Sequence, residues 1–193
     1  MNGPEKMMSF GYALIAVIGL LIAVCFGWIW LNILVAPGWQ HQIKIPGRGV
    51  LMVFMIATVI VLLQVSRKPL YWSGRLPGPF WYIWFVILII AEVALIAAGN
   101  NFFHENNHAE WQAAWTLFIV GAHFLGFAFI FHIRAFRWLA VSMCGVSVLS
   151  VLLSIIIGAP QLRTFLSAFG GALSLWLFSG WALCKMYRGR WIG

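Results

Sequence analysis

A chain of 193 residues with 63% hydrophobic side chains, 8% charged ones and a mean hydropathy of +0.96 stands far from the roughly 45–50% apolar and roughly 25% charged make-up of soluble domains. That excludes a soluble enzyme or module. The formal charge of +8 does not mark a nucleic-acid binder either, because the basic residues cluster at the ends of apolar runs, where orientation and anionic headgroups account for them.

At about 20 apolar residues per crossing, the length accommodates about six spans in one polytopic domain, residues 1–193. The expected fold is an all-α integral membrane protein, a bundle of six transmembrane helices with both termini cytoplasmic. Cys25, Cys144 and Cys184 are scattered within or at the edge of apolar runs and read as small packing residues.

Span one is predicted over Phe10–Ala36, stopping at Pro37-Gly38, with Gly19, Ala23 and Gly27 at four-residue spacing on one face for close helix packing. Span two covers Gly49–Ser66, entered through Lys44-Ile-Pro-Gly-Arg48. The connector Pro69–Pro79 carries three prolines and two glycines that forbid a regular helix. Span three is Phe80–Gly99 and carries Glu92. Spans four, five and six follow as Gln112–Ile133, Trp138–Gly158 and Thr164–Tyr187, with turns short enough to make neighbours antiparallel.

Alternating spans divide the twelve basic residues unequally. One side receives Lys6, Arg67, Lys68, Arg75, Arg134, Arg137, Lys185, Arg188 and Arg190; the other receives Lys44, Arg48 and Arg163. The positive-inside rule then places both termini in the cytoplasm of a bacterial inner membrane.

Chemistry gathers in and beside Gly99–Phe131. His104-Glu105-Asn106-Asn107-His108 matches H-E-x-x-H, in which a helix turns two imidazoles at i and i+4 toward zinc and the glutamate acts as general base. His41 is expected on the same outer side, so zinc or another divalent metal on His41, His104 and His108, with Glu105 as base, is one reading. A carboxylate third ligand is missing. The plainer reading is a solvated polar cap at a helix start, with Asn100, Asn101, Asn106 and Asn107 as capping groups; outward histidines also respond to mild acid.

Glu92 is the only acid within a predicted span, and a carboxylate at depth must be protonated, paired or wetted. It lies about 12 residues into span three, and His123 about 10 from the end of span four, so both sit roughly 15–18 Å from the same surface. A midplane Glu92–His123 pair is therefore expected, either exchanging a proton as a solute passes or fixing how two helices dock.

His132 invites a haem reading, but nine residues turn a helix through about 900°, so His123 and His132 face opposite sides and no second helix supplies histidines. Haem is not expected, and no cofactor is predicted. Ser147, Ser150 and Ser154 in span five, and Ser167 and Ser174 in span six, form weakly polar faces that either pack helices or line a polar path. No Walker loop, nucleophile elbow or Cys-His pair points to an enzyme.

The sequence thus supports three functional expectations. One is a small-solute or ion channel or transporter with a midplane Glu–His pair. Another is a non-enzymatic membrane subunit, assembly or immunity-type protein. The third is an outer-face metal protein. The bilayer, a small solute or ion, a second copy or a membrane-complex subunit are the partners expected.

Overall fold

The computed structural model describes residues 6–8, 19–30, 40–65, 70–72 and 80–188. Six helices dominate the described residues. In chain order the elements are strand β1 (Lys6–Met8), helix α1 (Gly19–Trp30), helix α2 (Gln40–Val65), strand β2 (Leu70–Trp72), α3 (Trp81–Glu105), a 3-10 turn (Ala109–Trp111), α4 (Gln112–Phe131), α5 (Arg134–Ile157) and α6 (Pro160–Tyr187). Four of them, α3, α5, α6 and α4 with its preceding turn, are long and apolar enough to cross a membrane.

Local chemistry explains the breaks. α5 stops at Gly158, whose φ of 71° is left-handed and whose N–H returns to the Ile155 carbonyl. Pro160 then opens α6 in its first turn, where a missing N–H costs nothing. α4 ends on His132, also left-handed at φ 55°, and the chain re-enters α5 within two residues.

These tight turns make α4, α5 and α6 a consecutive antiparallel core. Leu117, Leu139, Met143 and Leu175 form one buried cluster with Trp30 of α1. Lipid is as apolar as leucine, so close packing rather than water expulsion holds such helices together. Gly121 shows how close: a Cβ there would lie 2.7 Å from the Cys144 sulfur and 3.0 Å from its backbone nitrogen.

α1 lies against α6, where Trp176 donates its indole N–H to the Val24 carbonyl at 3.2 Å and Ser179 its hydroxyl to the Leu20 carbonyl at 3.5 Å. Of the small-residue stripe on α1, Gly27 fits beneath Trp176, whereas Gly19 faces open space. At the far end of α2, Gln64 donates to the Tyr187 carbonyl at 2.7 Å. α3 is peripheral, packing chiefly on α4, and none of its residues is fully buried.

The bundle therefore has two chemically distinct ends. The α4–α5 turn and the end of α6 share a cluster of Ile133, Ala135, Ala182, Leu183 and Met186, joined by Leu20 and Val61. Arg134, Arg137, Lys185 and Arg188 belong to this basic end. The α3–α4 connector and the α5–α6 turn occupy the other, the connector end.

Several boundaries differ from expectation. α2 begins at Gln40, so the Lys44–Arg48 stretch, Pro46 included, lies within a helix rather than leading into one. Part of the proline-rich connector is extended: Leu70–Trp72 pairs antiparallel with Lys6–Met8. α3 continues past Gly99 to Glu105. At Asn100 the helix is tied to α4, Gln112 donating to the Asn100 carbonyl at 2.9 Å and Thr116 to its side-chain oxygen at 3.4 Å. The Pro37-Gly38 stop, Trp39, Arg67, Lys68, Arg75 and Arg190 lie outside the described residues.

Candidate functional site

The α3–α4 interface is assembled from side chains spaced three or four apart on each helix, as antiparallel neighbours require. From the basic end upward, Phe85 stacks on Phe127 with ring centroids 5.3 Å apart. Leu88 next fills the space left by Gly126. Glu92 then faces His123, followed by Trp115, whose indole packs on Gly99 and donates to the Leu95 carbonyl at 2.9 Å. Asn100 completes the series against Thr116 and Gln112.

In this register Glu92 Oε2 and His123 Nδ1 lie 3.1 Å apart. The imidazole is 8% exposed and the carboxylate 19%. The contact has ion-pair distance but not the alignment of a hydrogen bond, leaving Nδ1 without an in-line partner.

The surroundings of the pair are asymmetric. Toward the basic end an aromatic plug follows: Phe127 approaches the His123 ring at 4.0 Å between centroids, and Phe85, Phe131 and Trp81 continue the contact network. Toward the connector end the first polar side chains are Asn100 and Thr116, eight residues from Glu92 along α3, or about 12 Å.

The H-E-x-x-H string does not lie on one helix. α3 ends at Glu105, Asn106 caps it by donating to the Phe102 carbonyl at 2.7 Å, and Asn107 is left-handed at φ 59°. The i, i+4 relation between His104 and His108 that the zinc geometry needs is therefore broken. Both histidines are exposed, and His108 approaches Glu110 at 3.4 Å. The asparagines do not cap α4 either, since its N-cap position is Trp111, without a side-chain hydrogen bond. His41 falls in the first turn of α2, with its side chain outside the described set. Among the described residues no group of three His, Cys, Asp or Glu is placed to hold a metal.

Four of the five serines on these faces have their hydroxyls engaged. Ser147 donates to the Ala114 carbonyl across α4 at 2.7 Å, and Ser150 and Ser167 bridge α5 and α6 at 2.7 Å. Ser154 donates to the Val151 carbonyl at 2.8 Å and accepts from Arg163 at 3.0 Å. Ser174 is only half-buried, whereas Ser179, three quarters of the way along α6, is fully enclosed.

Arg163 is the residue whose surroundings the sequence least announced. It is 5% exposed, its guanidinium lies 3.8 Å from the centroid of the Trp111 ring, and Nη1 is 3.8 Å from Glu110 Oε1. Thr164 adds a 3.4 Å bond to the Glu110 carbonyl. A chain of contacts thus runs from exposed His108 through Glu110 to a buried cation and on to Ser154. The clue was available: Arg163 stands four residues before Ser167 and eight before Gly171, in phase with the buried face of α6.

His132 is exposed at the α4–α5 turn, with Nδ1 3.3 Å from the Ile130 carbonyl. No family model matches this chain, and no curated protein and no solved structure is similar to it.

Proposed function

We propose that the chain is a six-span inner-membrane protein with both termini cytoplasmic, a channel or transporter for a small solute or ion in which Glu92 and His123 exchange a proton. The observation that carries this reading is the 3.1 Å contact between a carboxylate and an imidazole deep in an apolar interface. Intramembrane ionisable groups are expensive and are kept where they work. Supporting it is the asymmetry around the pair, with phenyl rings toward the basic end and Asn100, Thr116 and Gln112 toward the other.

In this reading a proton arriving from the connector end is taken by one partner and passed to the other. The peripheral helix α3 has α4 as its main support. A shift of α3 on α4 then opens the Phe85–Phe127 stack and releases the proton toward the basic end. Reconstituting the protein in liposomes with a trapped pH dye tests this. Wild type dissipates an imposed proton gradient, and Glu92→Gln and His123→Gln slow that by at least about tenfold. Equal flux in folded Glu92→Gln would sink the reading.

A second reading, a non-enzymatic membrane subunit or assembly protein, is favoured by a different observation. The hydroxyls of Ser147, Ser150 and Ser167 are spent on docking helices, and α3 turns Trp84, Ile87, Ile90 and Val93 outward. Silence of the wild-type protein in liposomes, with a membrane partner cross-linking at Ile90, would favour it.

A further inference from the structure

At the basic end, Arg134 and Arg137 lie three residues apart in the first turn of α5, and Lys185 and Arg188 three apart at the end of α6. Such spacing puts each pair on one helix face. The two pairs are neighbours because Ile133 and Ala135 pack in one cluster with Ala182, Leu183 and Met186. Arg134, Arg137 and Arg188 are exposed and Lys185 partly so.

No described carboxylate answers these four cations. The described acids are Glu92 in the middle of α3, Glu105 at its far end and Glu110 in the connector. Four clustered positive charges repel one another, and an external anion removes that penalty.

The flanks of the cluster identify the anion as one that carries a hydrocarbon tail. On the turns of α5 and α6 next to the cations, Trp138 is 75% exposed, and Val141 and Leu177 are exposed as well. Arg137 lies over the Phe129 ring at 5.8 Å and Lys185 over Trp181 at 5.5 Å, so the basic side chains lean on aromatic groups of the kind that sit at headgroup level. A guanidinium presents a fork matched to two phosphate oxygens.

We propose that the start of α5 and the end of α6 together bind the headgroup of an anionic phospholipid, phosphate on Arg134, Arg137, Lys185 and Arg188, acyl chains along Trp138, Val141 and Leu177. The site is independent of the Glu92–His123 reading. Its occupant tethers the α4–α5 turn to the last turn of α6, and the bound lipid is a structural part of the basic end.

Native mass spectrometry of the detergent-solubilised full chain, titrated with phosphatidylglycerol or phosphatidylcholine, tests the proposal. Wild type retains phosphatidylglycerol at least about tenfold better. Arg134→Gln with Arg137→Gln, and separately Lys185→Gln with Arg188→Gln, each remove most of that preference. Lys44→Gln with Arg48→Gln, which removes equal charge elsewhere, leaves it intact. Equal retention of the two lipids by wild type overturns the proposal, as does an equal loss in the Lys44/Arg48 control. Displacement of the lipid by millimolar inorganic phosphate would also overturn it, by showing a free-anion site. Should one double variant fail to fold, the other gives the same reading.

Discussion

The guanidinium of Arg163 stands 3.8 Å from the centre of the Trp111 ring, with its Nε bonded to Ser154 and its Nη1 facing Glu110. A buried cation is tolerable only with such compensation, and removing one partner of a buried pair costs more than the pair contributes. Glu110 is 31% exposed, so the cost is reduced by solvent. Glu110→Gln is expected to destabilise by about 1–2 kcal/mol. Arg163→Lys keeps the charge but loses the planar face and fork, and is expected to cost about as much. Thermal unfolding in detergent measures both; an unchanged midpoint for Arg163→Lys would remove the stacking argument.

Glu92 and His123 stand in direct contact at 3.1 Å and are expected to be energetically coupled. A double-mutant cycle with Glu92→Gln and His123→Gln should give an interaction energy of about 1–2 kcal/mol, the range for side chains in direct contact. Additive effects, within about 0.5 kcal/mol, would mean that the two do not share an interaction.

Gly99 separates packing from composition. A methyl group there collides with the Trp115 indole, so Gly99→Ala is expected to cost about 1–3 kcal/mol and to loosen α3 from α4. Gly145, mid-helix in α5, has nothing near its absent Cβ. Gly145→Ala should therefore be neutral or stabilising by up to about 1 kcal/mol. The two melting temperatures should move in opposite directions or differ clearly; equal shifts would contradict the interface.

Strand pairing can be read by cross-linking. Met7 and Tyr71 are register partners. Met7→Cys with Tyr71→Cys should form a disulfide under mild oxidation, whereas Met7→Cys with Trp72→Cys should do so much less efficiently. Failure of the first pair, with both thiols reactive to maleimide, would dissolve the ribbon.

How much of this was legible depended on range. The four long helices follow from apolar runs, and the facing of Glu92 and His123 follows from rise per residue once α3 and α4 are antiparallel. Neither step needs contacts from elsewhere in the chain. The phase of Arg163 with the buried face of α6 was legible but its partners were not, because Ser154 comes from α5 and Glu110 and Trp111 from the distant 3-10 turn. The H-E-x-x-H string failed for the converse reason: the motif presumes a continuous helix, and a left-handed Asn107 interrupts it. The serine faces were read from their period alone, and Ser174 lies to one side of the buried row of α6 while Ser179 lies on it, a difference of phase that accumulates along a long helix.

The bonds joining α1 to α6 also set an order in time. Val24 and Leu20 accept from Trp176 and Ser179, residues 152 and 159 positions later in the chain. The α4, α5 and α6 turns close over a few residues and form as each segment leaves the ribosome, since local contacts precede distant ones. Helix α1, made well before α6, completes its docking late: Trp30 can already meet Leu117, Leu139 and Met143, but the surface around Gly27 and Val24 waits for Trp176 until α6 emerges.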